Sequence, residues 1–85
     1  MTERELEVLA EIQKILNVTL EATENVTPTD RLADCEVLDS LGLITLAVGL
    51  ENRFRVRLSE EDAPRIETFG DVISLVSQRR GEAGR

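Results

Sequence analysis

The stretch SLGLITLAVGLENRF, residues 40–54, constrains this 85-residue chain more than any other. Its apolar side chains recur at helical spacing, yet there are too many of them for one face. Projected at about 100° per residue, Leu43, Leu46, Ala47, Leu50 and Phe54 gather within roughly 100° of arc. That stripe is expected to be core. Leu41, Ile44 and Val48 form a second stripe turned well away from it, with Glu51 one turn further on. The second stripe either packs under a neighbouring loop or short helix, or stays open as a contact surface, because contiguous apolar patches on small proteins mark interaction sites.

The rest of the chain supplies partners for such a helix. Thr2 with Glu5 three residues later is a capping pair, and Val8, Leu9, Ile12, Ile15 and Leu16 follow on one side, which predicts a first helix over 3–16. NVTLEATENVTPTDRLADCEVL reads as a long surface loop pinned by Leu20, Val26 and Leu32. The second helix is predicted from Ser40 to Phe54. Arg53, Arg55 and Arg57 then alternate with Phe54, Val56 and Leu58, the pattern of an extended segment with apolar residues inward and arginines outward, pairing with Glu51, Glu60 or Glu61. Ser59 and Asp62 open a short third helix that Pro64 keeps from continuing regularly. Thr68 and Asp71 cap a fourth, with Phe69, Val72, Ile73 and Val76 as its stripe and Gly81 as its stop. The expected fold is all-α: a small four-helix bundle, three main helices plus a short third one, with a long loop between the first two. Residues 1–81 form one domain, and 82–85 form a disordered tail.

Composition narrows the function. Two phenylalanines are the only aromatic residues, so the core is aliphatic. Seventeen acids against ten bases leave a net charge of −7, which disfavours nucleic acid and anionic membrane and favours basic docking partners. Residues 1–40 hold ten of the acids and three of the bases. No run is long enough to span a bilayer, and the acidic N-terminus is unlike a signal peptide, so a cytoplasmic location is expected. Cys35 is the single cysteine and histidine is absent, which argues against a disulfide or a structural metal site. Cys35 reads as a small, semi-buried loop residue.

Ser40 stands where the long loop meets the second helix. As a nucleophile in its own active site it lacks a base other than carboxylates, so no catalytic residue is assigned. Asp39 or Ser40 suits a helix cap. Equally, the first turn of a helix offers unpartnered amides and the positive end of the helix dipole, which stabilise an attached phosphate.

Taken together, LDSLGLITLAVGLENRFRVRLSEEDAPRIETFGDVISLV resembles the acyl and peptidyl carrier proteins that bear 4′-phosphopantetheine, with weaker agreement through the first helix. The resemblance implies that Ser40 is the attachment serine, esterified by a phosphopantetheinyl transferase using coenzyme A, and that Asp39 helps position the transferase's magnesium ion. It implies a monomeric phosphoprotein that is no enzyme and holds acyl or aminoacyl intermediates as thioesters. Leu41, Ile44, Val48 and Glu51 would then meet the loading enzyme and the downstream synthase enzymes. Two departures from the pattern bear on the pathway. Glu36-Val37-Leu38 stands where a Leu-Gly-x run often precedes Asp-Ser, and Gly42, Thr45 and Asn52 replace acids common on the second helix of fatty-acid carriers. A discrete carrier for polyketide, nonribosomal-peptide or other specialised biosynthesis is expected. A D-alanyl-type or fatty-acid carrier is the alternative within the family, and a helical adaptor without a prosthetic group is the alternative outside it.

Overall fold

In the computed structural model, which describes residues 2–83, the chain forms three α-helices, α1 (Glu3–Lys14), α2 (Ser40–Phe54) and α3 (Phe69–Ala83), with a 3-10 helix, Glu60–Arg65, before the last. Each helix start carries the cap that its sequence announced. The Glu5 amide donates to the Thr2 hydroxyl at 3.2 Å and the Thr2 amide to the Glu5 carboxylate at 2.9 Å. The Asp71 amide donates to the Thr68 hydroxyl, while Asp71 accepts from the amides of Thr68 and Glu67. These bonds hold the Glu5 and Asp71 carboxyls below the usual carboxylate range, because they favour the charged form.

The first helix runs further than its pattern indicated. After Lys14 it widens into a π-helical turn, Ile15–Thr19, that buries Ile15 and Leu16 and closes with the Leu20 amide on the Ile15 carbonyl at 3.0 Å. The Gln13 side chain holds the following loop against this turn. It donates to Asn17 and to the Glu24 carbonyl and accepts the Val26 amide, all within 2.9 Å. Leu20, Val26 and Leu32 then pack against the core as expected. Farther along, the loop is tied to the start of α3: Leu32 donates to the Glu67 carbonyl, Phe69 to that of Asp30 and Gly70 to that of Pro28. Cys35 is buried, and burial followed by the nearby Glu24 charge pushes its thiol pKa up.

The core is where α1, α2 and α3 meet. Val8, Ile12 and Leu16 face Leu46, Leu50 and Phe54 from α2 and Phe69, Val72, Ile73 and Val76 from α3, and the whole set is buried. Leu43 departs from the expected core stripe. It is 41% exposed, because the short third helix stands off from α2 at that level and leaves a cleft rather than a packed contact. Beyond Phe54, Val56 is buried and Arg53, Arg55 and Arg57 are exposed, as the alternation indicated. The pairing expected for these arginines is not the one formed. Arg53 lies 3.7 Å from Glu11, and Glu51 instead accepts the Leu58 amide at 2.9 Å, which ties down the extended segment. Pro64 sits within the 3-10 helix, whose Ser59 and Asp62 make the expected reciprocal cap. Gly81 does not stop α3, which continues to Ala83; a glycine weakens a helix by about 1 kcal/mol without having to end it. Of the tail expected over 82–85, residues 84 and 85 lie outside the described residues.

Candidate functional site

The junction between the long loop and α2 is built by Asp39 and Gly42. Asp39 is extended, and its Oδ1 accepts the Gly42 amide at 2.8 Å while its carbonyl accepts the Leu43 amide at 2.8 Å. Asp39 is therefore the cap, and Ser40 is left free as the first, exposed residue of the helix. The amides of Ser40 and Leu41 precede the intrahelical ladder, so the positive end of α2 lies at the serine.

Gly42 is buried because the loop folds back over this first turn. A Cβ there would stand 1.9 Å from the Val37 carbonyl oxygen, a contact that no side-chain rotation relieves. The sequence drew attention to Gly42 only as the place of a missing acid. Its steric role depends on a residue outside the helix and was not visible in the helical pattern.

Leu43, Ile44 and Ala47 follow Ser40 by three, four and seven residues and so lie on its side of α2. They form one wall of an apolar cleft of about 370 Å³ whose opposite wall is Leu58, Ala63 and Ile66 from the segment around the 3-10 helix. This cleft was not read from the sequence, since its two walls are separate elements. The spare leucine of the core stripe, Leu43, was the one trace of it. Val48 borders the same cleft, and with Leu41 72%, Ile44 60% and Val48 46% exposed the second apolar stripe is open along its edge. Glu51 is half-buried beside them and is engaged by the Leu58 amide.

The wall formed by the 3-10 helix is anchored by an ion pair between a buried carboxylate and a half-buried arginine. Asp62, read from sequence only as a cap, accepts from Arg79 through both oxygens at 2.6 and 2.7 Å and also from the Ser59 amide. The two Arg79 bonds, then that of Ser59, hold its carboxyl far below the usual carboxylate range. Arg79 donates in addition to the Arg57 carbonyl at 2.8 Å, so one guanidinium joins α3 to the segment after α2 and to the 3-10 helix. Among the described residues no cluster of carboxylates, cysteine or histidine is placed to hold a metal ion, and no helix is long and apolar enough to cross a membrane.

An exposed hydroxyl, two unpartnered amides and an adjoining apolar cleft suit a phosphate-linked arm with an apolar load. The chain matches the family described as "Phosphopantetheine attachment site" over residues 6–76. It is 33% identical over 78 residues to the acyl carrier protein of Kineococcus radiotolerans, covering 91% of this chain and 96% of that one. It is 32% identical over 82 residues to the acyl carrier protein of Thermotoga maritima, covering 95% and 100%. The solution structure of a holo acyl carrier protein from Geobacter metallireducens shares the fold, with a TM-score of 0.77 at 20% identity over 88% of this chain and 87% of that one. Matched along nearly its whole length in sequence and in fold, the chain belongs to the phosphopantetheine-bearing acyl carrier proteins, which hold acyl intermediates on a covalent 4′-phosphopantetheine and leave catalysis to other enzymes.

Proposed function

We propose that Ser40 is the attachment residue and that the chain is a carrier of apolar acyl groups in a specialised pathway of the polyketide or nonribosomal-peptide kind. The observation that carries this reading is the position of Ser40: an exposed hydroxyl at the positive end of α2, directly beside a cleft of about 370 Å³. When bound, the prosthetic group supplies a flexible arm ending in a thiol that exchanges acyl groups. The chain's own residues do the rest. The Ser40 and Leu41 amides stabilise the phosphate charge. Asp39 spends Oδ1 on the Gly42 amide, which leaves Oδ2 for the magnesium ion of an incoming transferase. Leu43, Ala47 and Ala63 line the cleft that shelters an apolar load from water, and Leu41, Ile44 and Val48, bordered by Glu51, meet the transferase and the synthase enzymes. The absence of acids from Ser40 to Leu50 favours a specialised pathway over the fatty-acid route.

Incubation with coenzyme A, magnesium and a broad-specificity transferase tests the assignment by intact mass. One phosphopantetheine per chain is expected, and none on Ser40→Ala. The variant keeps its helical circular dichroism, since the capping bond belongs to Asp39. Modification of Ser40→Ala would overturn the assignment.

A further inference from the structure

The outer face of α2 is polarised along its length. From Ser40 to Leu50 it carries no charged residue, and its exposed side chains there are Leu41, Ile44 and Val48. Arg53, Arg55 and Arg57 follow at the far end, three of the ten bases of a chain whose net charge is −7. At the near end stand Asp34, Glu36 and Asp39, all exposed. Leu41, Val48 and Arg55 are spaced seven apart, two helical turns each, so they fall on one line about 21 Å long. Arg57, two residues on with Val56 buried between, is exposed like Arg55.

The arginines at the end of this line are only partly engaged within the fold. Among the described residues neither the Arg55 nor the Arg57 side chain has an ion-pair partner, whereas Arg53 is engaged by Glu11 and lies over the Phe54 ring. Arg55 has φ 56°, the left-handed conformation at a helix end for which glycine is best suited. A position whose backbone favours glycine thus carries a long cation. The helix dipole favours a cation at this end of α2, yet the side chain stays exposed and without an ion-pair partner among the described residues, at the end of a ridge open to partners.

We propose that the acyl-transferring enzymes served by this carrier present an apolar furrow to Leu41, Ile44 and Val48, and carboxylates where Arg55 and Arg57 land. This deepens the carrier reading above and rests on it. Like charges placed opposite each other across an interface disfavour association, and complementary ones set orientation and encounter rate. The polarity therefore permits one docking direction, with Ser40 aimed at the partner's active site. It also turns away enzymes whose docking rim is basic where Arg55 and Arg57 land, although the net charge of the chain attracts basic surfaces elsewhere.

The test uses the holo-protein and a transacylase that loads carriers from malonyl coenzyme A, in its natural form with a lysine- and arginine-lined docking rim and in a form with only those rim residues that face the Arg55 and Arg57 end replaced by glutamate. Uptake of phosphopantetheine by the wild-type chain is scored first by intact mass; failure at that step removes the carrier reading itself and is distinct from failure of the docking proposal. The wild-type carrier is expected to be loaded about 10-fold faster by the glutamate form at low ionic strength, with the preference shrinking in about 0.3 M salt as screening shortens. Arg55→Glu/Arg57→Glu should invert the preference. Arg55→Gly, which suits the backbone and removes the cationic side chain, should diminish it with the helical content intact. Equal rates with the two forms, a preference that salt does not change, or no inversion in the double variant overturns the proposal.

Discussion

Gly42→Ala separates local helix preference from tertiary constraint at the proposed attachment site. In an open helix the change is favourable by about 0.5–1 kcal/mol, because alanine restricts the unfolded chain and glycine is the poorer helix former. Here the new methyl would lie 1.9 Å from the Val37 carbonyl oxygen and 3.0 Å from its carbon. Even a close carbon-to-oxygen contact needs about 3.3 Å, so the loop and the helix must part by more than about 1 Å. The obstacle is backbone, and the displaced residues lead directly into the Asp39 cap and Ser40. Overpacking of this kind costs about 1–3 kcal/mol. With a urea m value of about 1 kcal/mol/M for so small a domain, the unfolding midpoint should fall by about 1 M or more. The rate of phosphopantetheine transfer should fall with it, as the serine is no longer held at the helix end. Gly49→Ala is the internal control. Its methyl meets Ile15 Cδ1 at 2.7 Å, the movable tip of a side chain, so a much smaller loss is expected. If Gly42→Ala unfolds at the same or higher urea concentration than the wild type, the close approach of Val37 is not the constraint described, and Gly42 has no steric role.

The other predictions concern the clamp and the two faces of α2. Because the folded pKa of Asp62 lies below the unfolded value of about 3.9, its contribution to stability is complete above about pH 5 and is lost as pH falls toward the folded value. Urea midpoints measured from pH 7 to pH 2 should therefore fall steeply in the wild type. In Asp62→Asn they should start lower and fall less, with Asp71 and Glu5 supplying the remaining slope in the same direction; parallel curves would remove the clamp as the source. Leu50→Ala, at a fully buried position, should cost about 2–5 kcal/mol and lower the melting temperature by more than 10 °C, while Val48→Ala should stay within about 0.5 kcal/mol and slow loading by partner enzymes. Equal losses at the two positions in thermal melts would place the outer stripe in the core.

Features whose partners lie three or four residues apart were legible in the sequence, because helical geometry alone brings such residues together. Thr2 with Glu5, Ser59 with Asp62 and Thr68 with Asp71 all cap as read, and the separation of Leu46, Leu50 and Phe54 from Leu41, Ile44 and Val48 follows from a period of 3.6 residues. The Asp39-Ser40 junction was legible for the same reason. Which of the two does the capping was decided by one hydrogen bond, from Gly42 to Asp39. What the sequence could not show arises where distant segments meet. Asp62 and Arg79 are 17 residues apart, and Gln13 reaches Val26 across 13. Gly42 matters through a carbonyl outside its helix, and Leu43 left the core stripe because the 3-10 helix stands off at its level. Periodicity records which face of a helix is apolar. Only the packing of one element on another determines whether that face meets a neighbour closely or leaves the space that becomes a cleft.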